Sequence, residues 1–403
     1  MKKLLVTSAL ISAFATTSAH AATQDLPSRE EMWKMIQTQQ KQISSLEKMV
    51  KNTDEKVEAT SEAVEQVAIA QPESAGADAG WWNKTHIGGY GELHLNKGST
   101  KDEVDFHRFV VEIGHEFNDR MRLFTELELE HSIAGEGKVG EVELEQAFVE
   151  YDINEYNKAR AGIFLLPIGI LNETHEPTTF FGVERNPIEN SIIPSTWWEG
   201  GATVSGELGE GFSYDVAAHS GLSTTVGNIR SGRQKVGSAK AEDGAMTGRI
   251  KWTGYPGVEL GVSGQYQQDL AQGTLTESHA ATLLETHAVI NQGSWGLRAL
   301  YAMWDIDGAA INALGRDEQY GYYIEPSYTF DITDSDRLGF FARYNEYDNV
   351  AGDNTDSEQK QYDIGLNYWP HEDVVLKADM AFVDAPVGGI DDEIFNLGVG
   401  FTY

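Results

Sequence analysis

Cysteine is absent from the 403-residue chain. That removes disulfide frameworks, thiolate nucleophiles, zinc ribbons and iron-sulfur ligation, leaving His, carboxylates and hydroxyls for any chemistry. Basic residues are scarce: 30 Lys and Arg stand against 63 Asp and Glu, a formal charge of -33. Nucleic acid is thereby excluded as a partner, because its phosphates would repel so acidic a surface. Long apolar runs are missing too. A helical membrane span needs roughly 20 consecutive apolar residues, and the one comparable run stands at the N-terminus. No G-x-S-x-G or H-E-x-x-H motif occurs, and His219-Ser220, adjacent on a strand, point to opposite faces. The chain does not read as an enzyme, and no cofactor or metal ligand set is expected.

What is present falls into four segments. Lys2 and Lys3, the apolar stretch Leu4 to Ala15 and the small-residue site Ala19-His20-Ala21 form an export signal, residues 1–21. Within residues 22–70, Ile36, Ile43, Val50, Val57 and Val64 recur every seven positions, which predicts an α-helical coiled coil lying in the periplasm. Its second seam is diluted by Gln39, Thr53 and Thr60, and β-branched residues without a Leu seam favour a trimer over a dimer. Residues 71–80, QPESAGADAG, carry no bulky side chain and read as a linker. From Trp81 to Tyr403 the pattern changes to period two.

In that last segment Leu123, Thr125, Leu127 and Leu129 interleave with Phe124, Glu126, Glu128 and Glu130, so one face is apolar and the other mostly acidic. Short turns, such as those at Asn118-Asp119, Gln292-Gly293 and Pro370 to Asp373, alternate with long connections, of which 167–197 is the longest. Seven turns and eight loops join sixteen strands. Tight turns on one side and long loops on the other are the asymmetry of a transmembrane β-barrel. The predicted fold is thus all-β: a 16-stranded antiparallel barrel, residues 81–403, behind a helical coiled coil. Aromatic residues beside the turns, including Trp81, Trp82, Tyr151, Trp252, Tyr255, Trp295, Tyr328, Phe330, Tyr368 and Trp369, are expected to form an interfacial girdle.

The closing strand EIFNLGVGFTY and the third-loop segment RAGIFLLPIGILNETHEPTTFFGVERNPIENSIIPSTWWEGGA resemble Gram-negative outer-membrane porins, specifically the phosphate-selective porin O and P family and its less specialised relatives. Some trimeric sugar and dicarboxylate porins also carry a coiled coil ahead of the barrel. The resemblance implies a homotrimer of water-filled barrels in the outer membrane, in contact with lipid and lipopolysaccharide, each narrowed by its third loop. The chain departs from the phosphate-selective pattern, which depends on an arginine ladder and lysine-rich surfaces: its third loop holds Glu173, His175, Glu176, Glu184 and Glu189 with the single base Arg185.

Alternation assigns the pore lining. Arg108, Arg249, Lys251, Arg298, Arg343 and Lys377 on scattered strands, and Glu126, Glu128, Glu130, Glu143 and Glu145 on one hairpin, are expected to face water, since Arg or Lys at the lipid midplane costs about 2 to 4 kcal/mol. A constriction bearing both signs would orient dipolar solutes. The expected function is passive diffusion of small hydrophilic solutes and ions, with a preference for cations or neutral solutes. The alternatives are an anion- or phosphate-selective porin, and a structural tether whose coiled coil has the cell wall as partner.

Overall fold

The computed structural model describes residues 80–133, 137, 140–333 and 335–403. The export signal and the heptad segment lie outside the described residues. Gly80–Tyr403 forms one compact unit. Its strands are β1 (Thr85–Lys97), β2 (Asp102–Asn118), β3 (Met121–Glu130), β4 (Val142–Asp152), β5 (Asn157–Leu165), β6 (Trp198–Gly209), β7 (Phe212–His219) and β8 (Ala245–Tyr255). The second half consists of β9 (Val258–Gln267), β10 (Ala281–Gln292), β11 (Trp295–Ile306), β12 (Glu318–Asp331), β13 (Arg337–Asp348), β14 (Gln359–His371), β15 (Val374–Asp384) and β16 (Asp392–Thr402). Each pairs antiparallel with its sequence neighbours, and β1 pairs with β16 to close the barrel. Among the described residues, no helix is long and apolar enough to cross a membrane.

The alternation decides which side chains turn inward. On β3, Glu126 and Glu128 are buried inside while Leu127 and Leu129 are exposed outside. The same parity sets Ile364 outside and Asp363 inside on β14, and Leu376 outside and Lys377 inside on β15. The turns carry the residues their geometry demands. The β8–β9 turn is Pro256-Gly257; Gly257 has a φ of 75°, and a Cβ there would stand 2.0 Å from the Asn291 carbonyl oxygen, so no other residue fits.

The aromatic expectation needs one correction. Trp81, Trp82, Tyr255 and Trp295 are exposed on the outside, but Trp369 is buried. Its ring meets Phe181 edge-on, and its indole N–H donates to the Thr178 carbonyl at 3.3 Å. Neighbouring strand residues face opposite ways, so Tyr368 and Trp369 cannot share one face.

Candidate functional site in the barrel lumen

The inward charges are paired along and across strands. Arg108 meets Glu92 at 2.6 Å and Glu128 at 3.9 Å. Arg343 meets Glu325 and Asp363, each at 3.0 Å. Arg249 bridges Asp215 at 2.8 Å and Glu173 of the loop after β5 at 2.5 Å. Lys251 pairs with Glu259 at 3.3 Å, and Arg298 donates to the Thr179 carbonyl at 2.7 Å. Glu143 is bound by Lys235, with Glu130 and Glu141 close by. Lys377 differs: its ammonium lies 3.5 Å from the centre of the Phe180 ring, and the buried Nζ has no hydrogen-bond acceptor.

The connection between β5 and β6, the third of the long loops, touches inner-face residues of many strands. Asn172 clips its two ends together, donating to the carbonyls of Leu166 at 2.8 Å and Trp197 at 3.0 Å and accepting from the Trp197 amide at 2.7 Å. Farther on, Asn367 of β14 donates to the Phe180 carbonyl at 2.9 Å, and the Val183 amide donates to Asp379 of β15 at 2.7 Å. Glu189 is fully buried. It accepts from the amides of Ile170 and Leu171 at 2.7 and 2.6 Å, from Asn186 at 3.0 Å and from the Tyr323 hydroxyl at 3.1 Å. Burial pushes its carboxyl up, and those donors offset only part of the shift.

His175 is buried against the β1–β4 wall. Its Nε2 lies 2.7 Å from the Tyr90 hydroxyl, which donates to Glu126 at 2.8 Å; its Nδ1 faces the Asn172 carbonyl at 3.2 Å. Both ring nitrogens therefore face acceptors, the arrangement of an imidazolium. Burial lowers the imidazole pKa, but the Glu126 and Glu145 carboxylates, 3.7 and 3.5 Å from Nε2, outweigh it and hold it up at about 9. Glu145 also accepts from Thr196 at 2.8 Å, and one oxygen each of Glu128, Glu145 and Glu176 is buried without a hydrogen-bond partner. Glu184 lies 3.2 Å from Lys101 and 3.3 Å from His94. Burial raises its carboxyl, yet His94 and then Lys101 hold it well below the usual range. Arg185 makes no hydrogen bond or ion pair among the described residues, and its buried Nε has no acceptor.

The interior is lopsided. Ile168, Ile188, Ile192, Ile193 and Trp197 of the loop pack with Phe164, Leu222, Leu270, Trp304 and Ile311 into an apolar core inside the barrel, and the Trp304 indole donates to the Ile192 carbonyl at 2.9 Å. On the opposite flank lies a polar cavity of about 290 Å³, lined from β1, β2 and β13–β16 by Glu92, His94, Arg108, Arg343, Asp363 and Asp379, with Glu184 and Arg185 from the loop. A second cavity, of about 610 Å³, is lined by Arg230, Arg233, Lys235 and Arg316 and by no carboxylate. The signs of Glu92, Asp363 and Asp379 as lumen residues were in the sequence, as polar positions opposite apolar neighbours. The apolar core was signalled by the isoleucines of a loop that solvent alone would not retain.

No family model matches the chain. An uncharacterized protein of Aquifex aeolicus (strain VF5) is 28% identical over 333 residues, covering 73% of this chain and 74% of its own. Among solved structures the chain is similar to the anion-selective porin from Comamonas acidovorans, with a TM-score of 0.57 and 10% identity over 79% of this chain and 99% of that one. Salmonella typhi OmpF in complex with daunomycin gives 0.56 and 13%, and the outer membrane channel DcaP of Acinetobacter baumannii gives 0.52 and 13%, each covering 79% of this chain and 97% of its own. The likeness is one of fold: a closed sixteen-stranded antiparallel β-barrel shared with outer-membrane channels.

Proposed function

We propose that the protein is an outer-membrane porin of a Gram-negative bacterium, a water-filled channel for passive diffusion of small hydrophilic solutes and ions. The observation that carries this is the polar, charge-lined cavity beside the third loop, inside a closed barrel whose outer face exposes Leu, Val, Ile and Phe. The third loop narrows the channel; its contacts with β8, β11, β14 and β15 support an inward fold. Glu173, Glu176 and Glu184 with Arg185 and His175 then border the constriction, and Glu189 anchors the loop. The sixteen strands cross the outer membrane with the short turns in the periplasm, where residues 22–70 form a trimeric coiled coil joined by residues 71–80.

A second reading, anion or phosphate selectivity, draws on two observations: the unpaired cations Arg185 and Lys377, and the carboxylate-free basic cavity. The reversal potential of the refolded mature protein in a planar bilayer under a KCl gradient separates the two. Cation preference without phosphate block supports the weakly selective pore, anion preference with block at low phosphate supports the second, and absence of conductance refutes both.

A further inference from the structure

We propose that Asp105, His107 and His131 form a binding site for a divalent transition-metal ion of the Zn²⁺ class at the long-loop end of the barrel. Asp105 Oδ2 lies 3.2 Å from His107 Nδ1 and 2.8 Å from His131 Nδ1, and the three donor atoms all fall within 4.8 Å of one another. Donors on a tetrahedral ion with bonds near 2.0 Å stand about 3.3 Å apart, so small side-chain rotations bring this set onto one ion. Two imidazoles and one carboxylate favour zinc, copper or nickel over magnesium or calcium, which take all-oxygen sites. Three protein donors leave a fourth position for water or a passing solute.

The backbone holds the set in place without an ion. The β1–β2 register shifts between Glu92 and Leu93, so that Glu92 pairs with Arg108 and Leu93 with Phe106. His107 is the extra residue of this bulge, which aims both it and Arg108 inward where strict alternation would separate them. His131 follows β3 with a φ of 51°, a left-handed conformation in which His is enriched, and its amide donates to the His107 carbonyl at 3.0 Å. His94 stacks on His107 with ring centres 4.8 Å apart and 12° between planes, and lies 3.3 Å from Glu184. A bound ion therefore adds positive charge one ring away from the third loop. Two other carboxylate clusters lack this character. His175 beside Glu126 and Glu145 has both nitrogens engaged, and Glu141 and Glu143 already hold Lys235.

The test is equilibrium dialysis of the metal-stripped full-length barrel against Zn²⁺ alone, with Mg²⁺ as the control, independent of any conductance. One Zn²⁺ per chain is expected in the micromolar range, weakened roughly tenfold or more by Asp105→Asn and by His131→Asn, the latter chosen because Asn tolerates the left-handed backbone. Co²⁺ bound to the unaltered protein should give the absorption of a tetrahedral nitrogen-oxygen site, a readout independent of whether the variants fold. Absence of micromolar binding, an octahedral Co²⁺ spectrum, or binding that survives the His107→Gln, His131→Asn double variant overturns the proposal. In bilayers, micromolar Zn²⁺ should shift the reversal potential toward anions, reversibly with chelator, and a shift retained in the double variant would locate the ion elsewhere.

Discussion

Single residues in the lumen divide into those that hold the loop and those left free to act on solutes. Arg185 belongs to the second group, since it has no partner among the described residues. Near a water-filled path one uncompensated charge acts with about 1 kcal/mol at 4 Å, against a cation and in favour of an anion, so Arg185→Ala should raise the cation-to-anion permeability ratio about thirtyfold, read from the reversal potential. Asn172 belongs to the first. Replacing it with Ala strands the buried Trp197 amide, at about 1 to 3 kcal/mol for a group left unsatisfied, while the Leu166 and Trp197 carbonyls keep the amides of Ile168 and Leu166 as donors. Cleavage of the third loop by added protease should become faster, while the barrel keeps its heat-dependent gel mobility. Most inward charges were legible because a polar side chain alternating with Leu or Val has only one side to face. His107 was not. A count of two along β2 from Arg108 puts it outside, and only the pairing of Glu92 with Arg108 and Leu93 with Phe106, a property of two strands together, reverses that.

At the scale of elements, two of the third loop's attachments differ in kind. One is the isoleucine and tryptophan core, insensitive to pH. The other is the His175 imidazolium between Tyr90 and the Asn172 carbonyl. Its folded pKa of about 9 stands above the ordinary 6.5, so its stabilising contribution is complete below about pH 6.5 and is lost as pH rises through about 9. Current noise in single channels should therefore increase between about pH 8 and 10, and a His175→Gln channel should show no such rise; an identical alkaline rise in the variant would refute the latch. Removing the apolar attachment acts at every pH. Trp304→Ala, which deletes a buried side chain and the hydrogen bond to Ile192, should cost about 3 to 5 kcal/mol and raise open-channel conductance. The strand-and-turn plan was readable in the sequence because each strand's two faces meet different surroundings. The loop's docking was not, because it joins residues far apart in the chain, such as Phe180 to Asn367.

For the whole molecule, the outer face sets what the barrel tolerates. Leu127 and Glu128 are neighbours on β3, one exposed outside and one buried inside. In lipid vesicles, Leu127→Arg should destabilise folding by about 2 to 4 kcal/mol, while Glu128→Gln, which removes a charge with an unpartnered oxygen, should be neutral or stabilising. Denaturant titration of refolded protein reads both, and equal penalties would mean that the face assignment fails.

If the barrel is the channel proposed above, its lopsided interior also bears on how it changes over generations. Around the isoleucine core, inner-wall residues such as Trp304 and Tyr323 answer to packing, where one methylene is felt. On the flank built from β1, β2 and β13–β16 they answer to whatever passes. Descendants adapting to a new nutrient can therefore rewrite a position such as Arg185, which lines that flank and holds no other group in place, while the opposite flank stays frozen, so substrate preference can drift without the barrel having to be refolded around each new choice.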